Sequence, residues 1–472
     1  MALSLGMLAG CGGGSKEPEY SGPSYAELKV GEDYTDLKAE LRVITHRTDL
    51  IQEDPEKRDF TDFVKEFNAL YPNIIINYEG ITNYNDDMTA RISSSNWGDI
   101  CMVPTTVLLP DLGSYFHPLC QLSEIEADYN FATNRQYDGV VYGIPSTGNA
   151  QGIIYNKKVA EAAGYTSENL PKTPDEFLTF LQAIQDNTDA IPLYTNFAAG
   201  WTMTAWDAYI YGGATADPDW KNITMPQTKD PFADQGNGTG AYAVYKLLYD
   251  AVSMGLTEES PTATDWEGSK PMINNGEIGT MVLGSWAIIQ MQEAGPNAAD
   301  IGYMPFPITQ PDGKQYATAG ADYCYGVNKY SSQDNKIAAM LYIKWLTESS
   351  NFAYDQGGVP VPKSQPYPPT LAAFDGIGLV EDTPAPTELA SLQADVNREN
   401  EMSLDADQTH VQRVVEAVIT GSETFEDIIA DGTPAGTAPW TATPPASNRL
   451  LAPAPSKDGA GAERESEREG NQ

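Results

Sequence analysis

Leu41, Val43 and Thr45 alternate with Arg42 and Ile44, and the run ends in the polar residues His46, Arg47, Thr48 and Asp49. That pattern predicts a strand running into a loop. Phe60, Phe63, Val64, Phe67 and Leu70 then recur three and four positions apart, an amphipathic helix that stops at Tyr71-Pro72-Asn73. Ile74 to Tyr78 reads as a second strand and Asp99 to Val103 as a further buried one. Strand, helix and strand in that order predict a right-handed parallel unit. Ligands of open parallel sheets bind beyond the carboxyl ends of the strands, which directs attention to the loops Arg47 to Asp49 and Thr82 to Tyr84.

The same reading continues along the chain. Thr173-Pro174-Asp175-Glu176 has the form of a capping box, with proline at the first helical position and Phe177, Leu181 and Ile184 as the buried stripe. Tyr242, Tyr245, Leu248, Tyr249 and Val252 predict a helix stopped at Gly255, and Ile337, Ala338, Leu341, Tyr342 and Trp345 predict another. Val411, Val414, Val415, Val418 and Ile419 form a stripe ending at Gly421, and Phe425, Ile428 and Ile429 begin one more helix. The fold class is α/β throughout. After Asp431 the chain turns to Gly, Pro, Ala and Thr, so residues 431–472 read as a tail without a core, either a natural extension or a reading-frame artefact.

With 472 residues the chain exceeds what one core usually supports, and two lobes are expected. It carries 66 acidic residues against 28 Lys and Arg, a formal charge of −38. A surface of that sign repels phosphate backbones and anionic headgroups, which excludes nucleic acid as a partner and leaves no polybasic membrane patch. Three histidines and four cysteines without a CxxC pair argue against a metal site or a cofactor. Cys101, Cys120 and Cys324 read as buried thiols, with a bond between Cys101 and Cys120 left open.

Leu3 to Gly10 are apolar or small and run into Leu8-Ala9-Gly10-Cys11, followed by Gly12-Gly13-Gly14-Ser15. This tetrapeptide resembles the lipobox of bacterial lipoproteins, although no Lys or Arg precedes the apolar stretch. The resemblance implies a signal segment at 1–11, lipidation of Cys11, and a protein held at the outer face of the bacterial cell membrane. Residues 12–38, rich in Gly, Pro, Ser and charge, read as a flexible linker.

Tyr142-Gly143-Ile144-Pro145 is followed by Gly152-Ile153-Ile154-Tyr155-Asn156-Lys157. Further on come Lys172 to Phe177, the strand and turn Gly279 to Trp286, and Gly326-Val327-Asn328-Lys329 before the helix near Trp345. In this order the blocks resemble the family-one extracellular solute-binding proteins, the maltose-binding-protein-like receptors of ABC importers. The resemblance implies a two-lobed periplasmic-binding-protein-like (type II) architecture with the ligand in a cleft. One lobe would take residues 39–147 plus 318–360 and the other 148–317 plus 361–430. It further implies a monomer that binds a small polar ligand, an oligosaccharide, and delivers it to ABC importer permease subunits.

Sugars present hydroxyl edges and apolar faces, so a sugar site needs aromatic platforms with Asp, Asn or Arg beside them. By resemblance, Trp286 and one of Trp201 or Trp206 are the stacking candidates, with Asp322 as a polar contact. Arg47, Asp49, Tyr84, Asn149 and Trp266 follow. Any one of these aromatics competes with a reading as a core residue. If the segment Gly200 to Asp207 is helical, Trp201 and Trp206 turn away from each other and do not share one role.

The rival is a secreted glycoside hydrolase, because paired carboxylates in an aromatic cleft can hydrolyse as well as bind. No local motif singles out such a pair, and no G-x-S-x-G, S-x-x-K or H-E-x-x-H occurs. Gly236-Asn237-Gly238-Thr239-Gly240 lacks the preceding strand of a phosphate loop and reads as a surface turn. The expectation is a binding protein and not an enzyme, with no catalytic residues.

Overall fold

Alternating burial along Ala39–Thr45 places Leu41 and Val43 inside and Glu40 and Arg42 outside, as a strand with one face on a core requires. This strand opens the computed structural model, which describes residues 18–51, 58–207, 209–228, 230–386, 389, 392 and 409–431. The chain forms two units: the first holds residues up to Ala127 with Ala132–Ser146 and Tyr323–Ser350, the second Asp128–Phe131, Thr147–Asp322 and the chain from Asn351 onward.

The sheet of the first unit has the strand order Ile74–Gly80, Ala39–Thr45, Ile100–Met102, Cys324–Val327, Ile144–Pro145. Its first two pairings are parallel, with Leu41 opposite Ile76 and Val43 opposite Ile100, as the strand-helix-strand reading expects. The connecting helix is Phe60–Leu70. Asp59 caps it by accepting from the amides of Thr61 and Asp62, and Phe60, Phe63 and Phe67 form its buried stripe. Phe67 meets Tyr342 and Trp345 of the helix Gln333–Glu348 at ring-centroid distances of 5.0 and 5.6 Å.

Residues 18–38 do not form a free spacer. Tyr25 and Leu28 are 0% and 1% exposed. The Tyr25 amide donates to the Leu119 carbonyl at 2.8 Å, and the Gly31 amide to the Tyr71 hydroxyl at 2.8 Å. Lys344 lies 4.7 Å over the Tyr25 ring and donates to its carbonyl at 3.3 Å. Tyr20 meets His117 edge-on at 4.4 Å. The segment is a strap packed on the first unit, since its few aromatic and aliphatic side chains find partners far along the chain. Residues 1–17, including Cys11, lie outside the described residues, as does the tail beyond Asp431.

The His117 side chain beneath the strap is buried. Burial first, and then the Lys336 ammonium, push its imidazole down from 6.5 to about 4. The folded state therefore holds His117 neutral, while the unfolded chain takes up a proton as soon as pH falls past its ordinary value. Stability present above pH 6.5 is lost progressively as pH falls to about 4, by up to about 3 kcal/mol. Denaturant melts at pH 7 and pH 4.5 should show this loss in the wild type and a smaller one in His117→Gln.

In the second unit the strand Gly148–Asn156 is central. It pairs antiparallel with Ile278–Gly284 along one edge, and with Ile301–Pro305 and Tyr316–Ala321 along the other. Ile191–Leu193 and Gly378–Val380 complete the sheet. One core contains Ile153, Phe177, Leu181, Trp206, Tyr245, Val414 and Ile428, and a second contains Ile154, Tyr194, Met281, Leu283, Ile288 and Phe374. The helix Pro174–Asn187 is capped by Thr173, whose hydroxyl accepts from the Glu176 amide at 3.3 Å. Glu176 does not close the capping box. Its carboxylate accepts from the Lys172 amide at 2.7 Å, one residue before the cap. The helix Gly240–Ser253 ends at Gly255 with φ 68°, and Thr409–Thr420 ends at Gly421 with φ 64°. Phe425–Asp431 follows.

Two stretches expected in the first lobe belong to the second unit. Ala319 to Ala321 pair with Gly148 to Ala150, and the Val359 amide donates to the Gly148 carbonyl at 2.7 Å, so residues 318–322 and 351–360 stay with the Gly148–Asn156 strand. Gly236 to Gly238 form an exposed turn. Cys101, Cys120 and Cys324 are free buried thiols, which removes the Cys101 to Cys120 bond.

Candidate ligand-binding site

Trp286 follows the strand Ile278–Gly284 and precedes the helix Ala287–Glu293, half-buried at the turn. Gly284 is what lets it sit there, because a Cβ at that position would come within 2.5 Å of the Trp286 indole nitrogen. Trp266 opens the helix Trp266–Asn274, whose cap Asp265 accepts from the Glu267 amide. The Asp265 amide in turn donates to the Tyr194 hydroxyl at 2.9 Å. Trp201 opens the short 3-10 helix Trp201–Trp206 and is 46% exposed.

These three indoles meet. Ring centroids are 5.2 Å apart for Trp201 and Trp266, 5.7 Å for Trp201 and Trp286, and 5.8 Å for Trp266 and Trp286. No pair lies flat on the other, so the edges and faces of the rings make an angular surface. Lys270, one helical turn beyond Trp266, stands 4.8 Å over the Trp266 ring and is paired with Glu267 at 2.8 Å.

A polar arm adjoins this surface. The Asn149 amide donates to Asp322 Oδ1 at 3.2 Å, and Asn149 Oδ1 accepts from the Ser285 hydroxyl at 3.4 Å. Ser285 Oγ also accepts from the Ala150 amide at 3.1 Å. Ser285 directly precedes Trp286, so carboxylate, carboxamide and hydroxyl form one chain that runs into the stacking residue. Such a set can accept from and donate to vicinal hydroxyls beside an aromatic face.

Five of the nine residues marked from sequence as ligand-binding, Trp201, Trp266, Trp286, Asn149 and Asp322, thus collect in the second unit. Trp206 does not join them. It is 1% exposed in the core and meets Phe306 edge-on at 5.7 Å, so the 3-10 helix gives its first tryptophan to the surface and its last to the interior. Arg47, Asp49 and Tyr84 lie in the first unit. Arg47 grips Asp49 with Nε at 2.9 Å and Nη2 at 2.7 Å. Burial of Asp49 pushes its carboxyl upward, but this bond and the guanidinium charge outweigh it and hold the group below its usual range. Tyr84 is buried, with its hydroxyl donating to the Met102 carbonyl at 2.7 Å, and the burial pushes its phenol up. It supports the sheet ends rather than presenting a ring to solvent. Sequence reasoning missed Lys270, for which the four-residue spacing from Trp266 on a capped helix was an available signal, and Ser285, for which there was none.

A family model described as bacterial extracellular solute-binding protein matches residues 53–351. The chain belongs to this family. Among solved structures, a manno-oligosaccharide specific solute binding protein from Bifidobacterium animalis subsp. lactis, in complex with mannotriose, is 41% identical with a TM-score of 0.78. The match covers 88% of this chain and 98% of that one. A binding protein of an ABC transporter from the same organism, in complex with mannobiose, is 42% identical with a TM-score of 0.77, over 87% of this chain and 97% of that one. Both support the two-lobed solute-binding fold class. The maltotriose-binding protein of Pyrococcus abyssi is 25% identical over 48% of this chain, and the match spans 45% of that protein's length. This family is extracellular, and no described helix of this member is long and apolar enough to cross a membrane.

Proposed function

We propose that this protein is the extracytoplasmic receptor of an ABC importer, that it captures short manno-oligosaccharides and releases them unchanged, and that Cys11 carries a lipid anchor. The observation that carries the reading is the surface of Trp201, Trp266 and Trp286 with the Asn149–Asp322 arm beside it. Three indoles supply apolar faces for more than one pyranose ring, and the arm supplies the hydroxyl partners. The ligand class rests on the two Bifidobacterium proteins seen with mannotriose and mannobiose. The carboxylates near the surface have structural tasks: Asp265 caps a helix, Glu267 pairs with Lys270, and Asp322 accepts from Asn149. This supports binding over hydrolysis. The lipid anchor rests on the lipobox-like Leu8 to Cys11, and delivery to a permease on the family.

A thermal-shift screen of the full chain against manno-, malto- and chito-oligosaccharides tests the reading. A sugar at about a hundredfold excess over its Kd adds about 2.7 kcal/mol of stability. Mannobiose or mannotriose should raise the Tm and be recovered intact. A shift with another sugar class alone would replace the ligand, and consumption of the sugar would replace binding by hydrolysis.

A further inference from the structure

Trp201 leaves a turn bracketed by two residues of positive φ, Asn196 at 58° and Gly200 at 69°. Backbone in that region is held by its surroundings rather than by its own preference. Three side-chain contacts hold this turn. The Thr202 hydroxyl donates to the Asn196 carbonyl at 2.9 Å, and the Ala198 amide donates to the Thr264 hydroxyl at 2.8 Å, two residues before Trp266. The third comes from the far end of the chain: Gln412, on the helix Thr409–Thr420, donates from Nε2 to the Phe197 carbonyl at 2.8 Å. A Cβ placed on Gly200 would sit 3.7 Å from that same nitrogen, so the carboxamide lies against the residue from which Trp201 departs.

The helix bearing Gln412 is itself fixed. Val411, Val414 and Val415 are fully buried in the core shared with Phe177 and Tyr245. Gln412 therefore joins a rigid core element to an exposed turn whose end is one of the three indoles. We propose that Gln412 is a positioning residue for ligand binding: it holds the Phe197 carbonyl so that Trp201 stays against Trp266 and Trp286, ready to meet a sugar ring. The inference rests on the reading of Trp201 as a ligand contact. Its physical content is preorganisation, since an exposed indole on a released turn must be ordered again each time a ligand binds.

Two variants of the full chain test it. Gln412→Glu keeps the shape and removes the donor, whereas Gln412→Lys keeps a donor on a flexible stem. Hydrogen exchange of the 197–201 amides is followed without sugar, and mannotriose binding is followed by calorimetry and stopped-flow tryptophan fluorescence. Gln412→Glu should exchange faster across the turn and bind about three- to tenfold more weakly, through faster dissociation, the scale of one hydrogen bond. Gln412→Lys should recover most of both effects. Wild-type exchange and affinity in Gln412→Glu would overturn the proposal, as would a loss that Gln412→Lys fails to restore, which marks a merely structural role. Should the wild type not bind mannotriose, the ligand assignment fails, while the exchange comparison still decides whether Gln412 holds the turn.

Discussion

Tyr25→Ala should destabilise the first unit by about 3–5 kcal/mol, the usual cost of removing a fully buried aromatic ring. The ring is 0% exposed, lies under Lys344, and is positioned by the bond from its own amide to the Leu119 carbonyl. Its removal leaves a cavity and also uncovers the neighbouring site of Leu28, which is 1% exposed. A chain beginning at residue 39 loses both side chains together with the Gly31 to Tyr71 bond, and should melt at a markedly lower temperature or fail to accumulate. Denaturant unfolding of Tyr25→Ala and of the truncated chain, beside the wild type, measures this. Melting curves indistinguishable from wild type would mean that the strap is only a tether.

Trp286→Ala should weaken binding of mannotriose by about 1–3 kcal/mol, roughly five- to 150-fold, as expected when an aromatic anchor is truncated. Trp286 touches both other indoles and follows Ser285, the last member of the polar arm, so its loss disturbs the stacking surface and the arm together. The fold should persist, because Trp286 is half-buried and lies at a turn. Calorimetric affinity and a melting curve, read side by side, separate the two effects. Trp206→Ala offers the contrast: buried in the core, it should cost stability by about 3–5 kcal/mol.

Periodicity made much of the fold legible. Phe60, Phe63, Phe67 and Leu70 located a helix that the structure bounds at Phe60–Leu70, and the alternation at Leu41 and Val43 located the first strand. What periodicity could not show was long-range pairing of sparse apolar residues. Tyr20, Tyr25 and Leu28 stand in a stretch of Gly, Pro and charge that resembles a linker, and their partners Leu119, His117 and Lys344 lie far away in sequence. The site divides in the same way. Trp201, Trp266 and Trp286 were each visible as aromatics in turn or helix-start contexts, but their mutual contact is tertiary. The five-residue offset of Trp201 and Trp206 showed that the two differ in role without showing which one faces outward. Gln412 carried no local signal, since its partner is a backbone carbonyl at Phe197.

The account turns on one claim, that this chain binds a short manno-oligosaccharide on its second unit. Calorimetric titration of mannotriose into the full chain and into Trp286→Ala tests that claim most directly. Saturable binding with one site by the wild type, weakened about five- to 150-fold in the variant, is the predicted result. Binding that Trp286→Ala leaves unchanged would move the site elsewhere, and no heat at millimolar sugar would contradict the ligand assignment itself.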